Sequence, residues 1–511
     1  MAAPLRYPLI LLAWGIMALI YLPVFPAIAL MLAPAFRLAC WQALFADPQI
    51  WQALAATLIS TLLAVGGALL ISLTLVAALW PSRGWRQLAG RLPLLLAVPH
   101  VAFATGALLL FAEGGWLYRV CSVCSPPADR YGIGLGLTMA IKESGFLLWA
   151  IYGLLSEKRL AEQATVLKSQ GYGRWQCLNW LILPTLLPSL AIVLVATTAW
   201  SLSTVDVALV IGPGNPPTLA VLAWQWLNQG DDMQQAKGAL ASLLLLLILG
   251  GVLVCAWGGW RLWQRQIPDL RGIRRPQPRA LAGRLLAIGL PLSGLLCALL
   301  LAALAQSASP LNDSLANSLG LALLASLAGA LVCLLWLECG PSRGDSWVWL
   351  PLVLPALPLA DGQYQLALYT WQDGQFATVL WGHLLWVVPW MLFVLRPAWR
   401  HRDPRLELVA RTLGWGRWQR VWRVKLPMLV RPLLMALAVG FSVSIAQYLP
   451  TLWLGAGRTP TLTSEAVALS SGGDTQTLAA QALWQLLLPA MVFSLTALLA
   501  WLAGRYRRGL R

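Results

Sequence analysis

Few residues in this chain could do bond-making chemistry. Its three histidines, His100, His383 and His401, are far apart, and none sits in the HExxH spacing of a zinc hydrolase. No GxxxxGK[ST] phosphate loop occurs either. What remains is a handful of ionisable groups in strongly apolar surroundings: Lys142 with Glu143, Asp206 and His383. Placing such a group in hydrocarbon costs about 2.5–3.5 kcal/mol on insertion scales, so each is a candidate for solute contact or gating, with structural pairing as the plainer alternative. Neighbours at i and i+1 do not face each other on a helix, so Lys142 and Glu143 must look to other helices for partners. Of the eight cysteines, only Cys121 and Cys124 form a CxxC, which suits a local disulfide in an oxidising compartment and lacks the further ligands of a metal site.

The strongest signal is a duplication. GYGRWQ, Gly171 to Gln176, returns as GWGRWQ at Gly414 to Gln419, 243 residues later. At the same offset Leu183-Pro184 matches Leu426-Pro427, Gly212 matches Gly455, Pro217-Thr218-Leu219 matches Pro460-Thr461-Leu462, and Gly230-Asp231 matches Gly473-Asp474. Upstream, Pro81-Ser82-Arg83-Gly84 recurs as Pro341-Ser342-Arg343-Gly344 at an offset of 260, which leaves 17 extra residues in the first copy, assigned to the loop Glu113 to Arg130. One unit is written twice, so the two halves share a backbone.

The elements that hold these residues follow from composition. Of 511 residues, 59% are hydrophobic and 11% charged, with 29 Trp and a mean hydropathy of +0.70. Soluble domains carry roughly a quarter charged residues, so this is an all-α polytopic membrane protein. Apolar runs of roughly 20 residues predict about 12 transmembrane helices. Six fall near 8–31, 53–79, 92–112, 133–155, 185–211 and 237–263, and six near 284–305, 315–337, 347–369, 376–396, 429–450 and 477–503. The domain reading is therefore 1–263, a basic linker 264–283, and 284–511, with the first span retained rather than cleaved.

Charge orients this arrangement. With both termini cytoplasmic, only Arg37, Arg119, Arg130, Lys237 and Arg458 lie outside and Lys142 within a span, which leaves 30 of the 36 Lys and Arg inside. The net charge of +17 needs no nucleic acid: clusters such as Arg265, Arg271, Arg274, Arg275 and Arg279 act as topology determinants beside anionic lipid headgroups. Each half holds an even number of spans, so the copies are parallel repeats with a pathway expected between them.

Each GxGRWQ segment reads as a short polar helix, a glycine turn, an Arg-Trp-Gln step and a Leu-Pro entry into the membrane. Trp175 and Trp418 suit insertion into a partner's groove; the alternative is an amphipathic surface helix with aromatic anchors. The segments resemble the EAA loop of ABC-importer permeases: Glu-Ala-Ala, three residues, Gly, then about a dozen residues to Leu-Pro. Gly171 stands 13 residues before Pro184, and Gly414 stands 13 before Pro427. The Glu position falls instead on Thr165 and Leu408 and the Ala pair on Val166-Leu167 and Val409-Ala410, with Glu162 and Glu407 close by but out of register.

The whole chain resembles the fused permeases of thiamine and ferric-iron importers, two tandem six-helix repeats of the ABC type I permease fold. That resemblance implies coupling helices at Gly171, Gly173, Arg174, Trp175 and Pro184 and again at Gly414, Gly416, Arg417, Trp418 and Pro427, docking two copies of an ATPase subunit. It further implies a periplasmic solute-binding protein meeting the loops Gly212 to Asp232 and Gly455 to Asp474, an inner-membrane location, and no cofactor on this chain, ATP and Mg²⁺ being used by the partner. The competing reading is an ion-coupled secondary transporter with twelve spans, for which Glu143 is the one plainly central carboxylate.

Overall fold

The computed structural model describes residues 6–96, 98–112, 115–121, 129–157, 160–265, 281–306, 308–341, 344–472 and 474–506. Most of the basic linker, including Arg271, Arg274, Arg275 and Arg279, lies outside these residues. So does Cys124; its CxxC neighbour Cys121 is disulfide-bonded.

Among the described residues nine helices, rather than twelve, are long and apolar enough to cross a membrane, running from Tyr7–Phe36 to Thr475–Arg505. The expected third and ninth spans are not continuous helices. The first is divided into Arg83–Leu96 and His100–Phe111, the second into Leu350–Val353 and Ala356–Tyr369. Pro99 and Pro355 stand at the breaks, because a proline pushes the preceding residue out of the α region and offers no N–H to continue the ladder. The Arg83–Leu96 piece is amphipathic: Trp85, Leu88, Leu92 and Leu95 are buried while Arg83, Arg86 and Arg91 face outward. The expected fourth span is a single helix, Ile133–Glu157, carrying Lys142 and Glu143.

Both halves then follow one order. The duplicated GxGRWQ segment runs into a long helix, Leu183–Ser203 or Leu426–Ile445. Two short helices come next, Asp206–Ile211 and Leu219–Leu227 in the first half, Leu449–Gly455 and Leu462–Ser470 in the second, before a final long span. The same tether holds the second short helix of each half. Thr57 Oγ1 accepts from Leu219 N at 2.8 Å, and Ser318 Oγ accepts from Leu462 N at 2.8 Å. Backbone groups at a helix start inside a membrane protein must find such partners.

The first helix of each half lies against the other half. In the first, Tyr21 donates to the Val348 carbonyl at 2.8 Å, Trp381 Nε1 donates to the Leu19 carbonyl at 3.1 Å, and Trp14 meets Trp336 edge-on at 5.0 Å. In the second, Cys297 Sγ lies 3.7 Å from the Ala102 carbonyl. Small residues permit these crossings, as expected where lipid leaves van der Waals packing as the main attraction. A Cβ on Gly362 would stand 2.6 Å from the Pro23 carbonyl oxygen and 2.8 Å from Ala27 N. Those are backbone atoms that cannot move aside. Gly362→Ala should therefore destabilise the protein by ~1–3 kcal/mol through overpacking, seen as a lower thermal unfolding midpoint of the purified chain. Gly250→Ala, with open space at its Cβ, should leave that midpoint unchanged.

Candidate functional site: two clamped segments and a cavity between the halves

The duplicated segments fold by duplicated means. The helices Leu160–Ser169 and Pro404–Thr412 end at Gly171 (φ +91°) and Gly414 (φ +75°). Gly171 N donates to the Lys168 carbonyl and Tyr172 N to that of Leu167; Gly414 N donates to Arg411 and Trp415 N to Ala410, all at 3.0–3.1 Å. This pair of bonds closes a helix through a left-handed residue, which is why the position is glycine in both copies. Gly173 and Gly416 have ordinary negative φ and cap the next short helix. There the motif glutamine reaches back: Gln176 Oε1 accepts from Gly173 N at 2.7 Å, and Gln419 Oε1 from Gly416 N at 3.0 Å.

The motif arginines turn toward the chain's own spans. Arg174 Nη1 donates to the Ala78 carbonyl at 2.5 Å, and Arg417 Nη2 to the Glu338 carbonyl at 2.8 Å. Ala78 and Glu338 lie in the last turns of Ile50–Leu79 and Asn312–Cys339, where helix carbonyls lack intrahelical partners. The tryptophans behave differently: Trp175 is 40% exposed and Trp418 52%. Leu408, which holds the position of the EAA glutamate, is exposed together with Val409 and Leu413. Glu407 folds inward to Lys425 at 3.3 Å and Arg420 at 3.8 Å. Beside the first segment, burial draws the Lys168 ammonium below its usual range.

Leu-Pro does not interrupt the chain at the membrane entry. Residues Leu178–Ile182 and Val421–Lys425 each form a π turn running straight into Leu183–Ser203 and Leu426–Ile445. Pro184 and Pro427 offer no N–H and their rings crowd the carbonyls of Trp180 and Arg423, which a wider turn relieves.

Between the halves lies a cavity of about 220 Å³. The first half lines it with His100, Lys142, Glu143 and Trp200, and the second with Trp386 and Trp390. Glu143 and Lys142 both engage the broken third span: Glu143 Oε1 is 2.7 Å from His100 Nε2, and Lys142 Nζ donates to the Leu95 carbonyl at 3.0 Å. His100 is the residue sequence reasoning missed; a histidine directly after Pro99, in a run otherwise apolar, was the available signal. The other two candidates do not line the cavity. Asp206 heads a short helix and accepts from Thr204 Oγ1 at 3.0 Å. His383 is enclosed by Ser444 Oγ at 2.8 Å and Thr451 Oγ1 at 2.9 Å, tying three helices together.

The duplicated loop residues are largely turned inward too. Leu219, Leu462, Thr218 and Thr461 are buried, while Asp231 and Asp474 cap the last spans by accepting from Gln234 N at 3.1 Å and Thr477 N at 2.9 Å. Bonds from Thr477 hold the Asp474 carboxyl below the ordinary carboxylate range. Gly473 lies outside the described residues. Among the described residues of these loops, Gly214, Asn215, Gln225 and Asn228 to Asp232 are exposed in one copy, and Ala456 to Arg458, Ala468, Ser471, Gly472 and Asp474 in the other.

The glycine geometry carries its own test. Gly414→Ala and Gly171→Ala force a side chain into the left-handed region, at ~1–2 kcal/mol each. Gly416→Ala, with negative φ, should cost little. Hydrogen exchange of the amides at 160–177 and 404–420 should rise about tenfold in the first two variants and stay near wild type in the third.

Residues 345–508 match the family model described as a binding-protein-dependent transport system inner membrane component. The chain is 59% identical over 511 residues, the full length of both, to the inner membrane ABC transporter permease protein YnjC of Escherichia coli (strain K12). It is 27% identical over 454 residues to the thiamine transport system permease protein ThiP of the same organism, covering 80% of this chain and 81% of that one. No solved structure matches. With a full-length relative of that identity and two clamped segments on a duplicated all-helical frame, the chain belongs to the inner-membrane permeases of ATP-binding-cassette transporters.

Proposed function

We propose that this permease is the translocation subunit of an importer, passing a small solute from a periplasmic binding protein through the interface of domains 1–263 and 284–511. Both termini are cytoplasmic in this reading, and 264–283 is the linker. A separate ATPase chain, in two copies, uses ATP and Mg²⁺ and docks on 157–183 and 400–426; this chain binds no cofactor of its own. The observation that carries it is the split character of each segment. Arg174 and Arg417 fasten it to the chain, while Trp175, Trp418, Leu408 and Leu413 stand exposed beside it. Exposed apolar side chains on an otherwise anchored element mark a partner site.

ATP-driven closure of the two ATPase subunits moves the segments, and each segment carries its own half through the arginine tie. The halves meet at a seam of aromatic rings, Phe146 against Trp390 at 5.2 Å and Trp149 against Phe393 at 6.1 Å. Passage of solute requires that seam to part, in a population shift between two states of the interface. Lys142, Glu143 and His100 supply the polar wall of the path. Asp206 and His383 support its frame.

Charging the exposed face tests the docking. A buried aromatic anchor is worth ~2 kcal/mol or more, about thirty-fold in affinity. Trp175→Glu with Val166→Glu, combined with Trp418→Glu and Leu413→Glu, should abolish co-purification of the ATPase while the chain still inserts in the membrane. Undiminished ATPase recovery would defeat the assignment. The His100–Glu143 pair is the one feature an ion-coupled carrier would also use; uptake that survives ATP depletion and collapses with the proton gradient would replace this reading with that one.

A further inference from the structure

The two coupling segments share a backbone and an arginine-to-carbonyl tie, but the groups packed around that tie are of opposite kinds. In the second half four charged residues close a network around Arg417. Glu338 Oε1 accepts from Arg417 Nε at 2.9 Å and Oε2 from Lys425 Nζ at 2.6 Å. Lys425 continues to Glu407 at 3.3 Å, and Glu407 to Arg420 at 3.8 Å. The positions related by duplication to Glu338, Glu407, Arg420 and Lys425 are Ala78, Ala164, Cys177 and Ile182. Ala164, Cys177 and Ile182 are buried, and Ala164 and Ile182 belong to the apolar cluster that also contains Leu178 and Leu160.

All four positions differ together. Such a concerted difference is what electrostatics favours, because exchanging a whole partly buried ion network for apolar groups is close to neutral, whereas deleting one member strands the others. From this we infer that Glu338 is the positioning residue of a charge-held clamp on the second segment, and that the two ATPase-docking ends of the chain are mechanically unequal. The first segment moves as one body with Ile50–Leu79, through apolar packing. The second is held by pairs that fail together when one charge is removed. The docking role rests on the function proposed above; the clamp does not.

The chain carries a native reporter in each clamp. Cys177 is buried in the first. Cys339 is buried in the second, with its Sγ 3.4 Å from Arg417 Nη2. The experiment is modification of the full-length protein in lipid nanodiscs by N-ethylmaleimide, with each cysteine followed by peptide mass spectrometry. Glu338→Gln should speed modification of Cys339 about tenfold and leave Cys177 within about twofold of wild type. The concerted variant Glu338→Ala, Glu407→Ala, Arg420→Ala, Lys425→Ile rebuilds the apolar clamp and should return Cys339 to the wild-type rate.

An unchanged Cys339 rate in Glu338→Gln overturns the clamp. So does acceleration of both cysteines together, or a concerted variant as reactive as the single one. In the assembled complex, Glu338→Gln should lower the ratio of ATPase to permease from two toward one, since only the second site is weakened. A ratio that stays at two while Cys339 becomes reactive overturns the inequality of the ends. Loss of both ATPase copies overturns it as well. Absence of ATPase from the wild-type complex would sink the docking reading while leaving the labelling result to stand.

Discussion

The tie between a guanidinium and the unpaired carbonyls at a helix end governs how this molecule is put together. A helix leaves its last carbonyls without partners, and they carry the negative end of its dipole. Arg174 at the end of Ile50–Leu79 and Arg417 at the end of Asn312–Cys339 meet that need. Each bond joins elements roughly 80–100 residues apart in sequence, and so fixes a surface segment against the membrane-embedded part of its own half. The π turn then keeps the backbone helical from the motif, through the proline, into the long span.

The remaining duplicated residues obey the same demand for satisfied backbone groups. Thr57 and Ser318 come from different residue types, yet both present a hydroxyl to the first N–H of a short helix. Asp231 and Asp474 present a carboxylate to the third N–H of each final span. Identity persists where a particular geometry is needed, as at the left-handed glycines, and chemistry alone persists where any short hydroxyl will serve.

That distinction explains what the sequence disclosed. The glycine turn, the Leu-Pro entry and the repeat were legible because each depends on a few adjacent residues. The broken spans were not, since an average over twenty apolar residues does not register a single proline: Pro99 and Pro355 split helices that hydropathy joins. His100 was hidden for the same reason, as its value depends on standing 2.7 Å from a carboxylate 43 residues away. Glu407 looked like a displaced EAA glutamate, and only the position of Lys425 shows that it faces inward. The exchange of first helices between halves leaves no local trace beyond small residues such as Gly362, whose role requires knowing that Pro23 lies opposite.

The cavity shows how far the duplication has been allowed to drift. Its backbone walls come from corresponding helices, but the ionisable side chains His100, Lys142 and Glu143 all belong to the first half, while the second half faces them with indole and phenyl rings. Within the cavity wall each charge already has a partner: Glu143 has His100, and Lys142 has the carbonyl of Leu95. The cavity therefore has one wall whose ionisable groups are partnered within the first half and an opposite wall of the second half that carries none. The duplication keeps its geometry at the glycine turns and helix caps, and loses it among the side chains of the cavity.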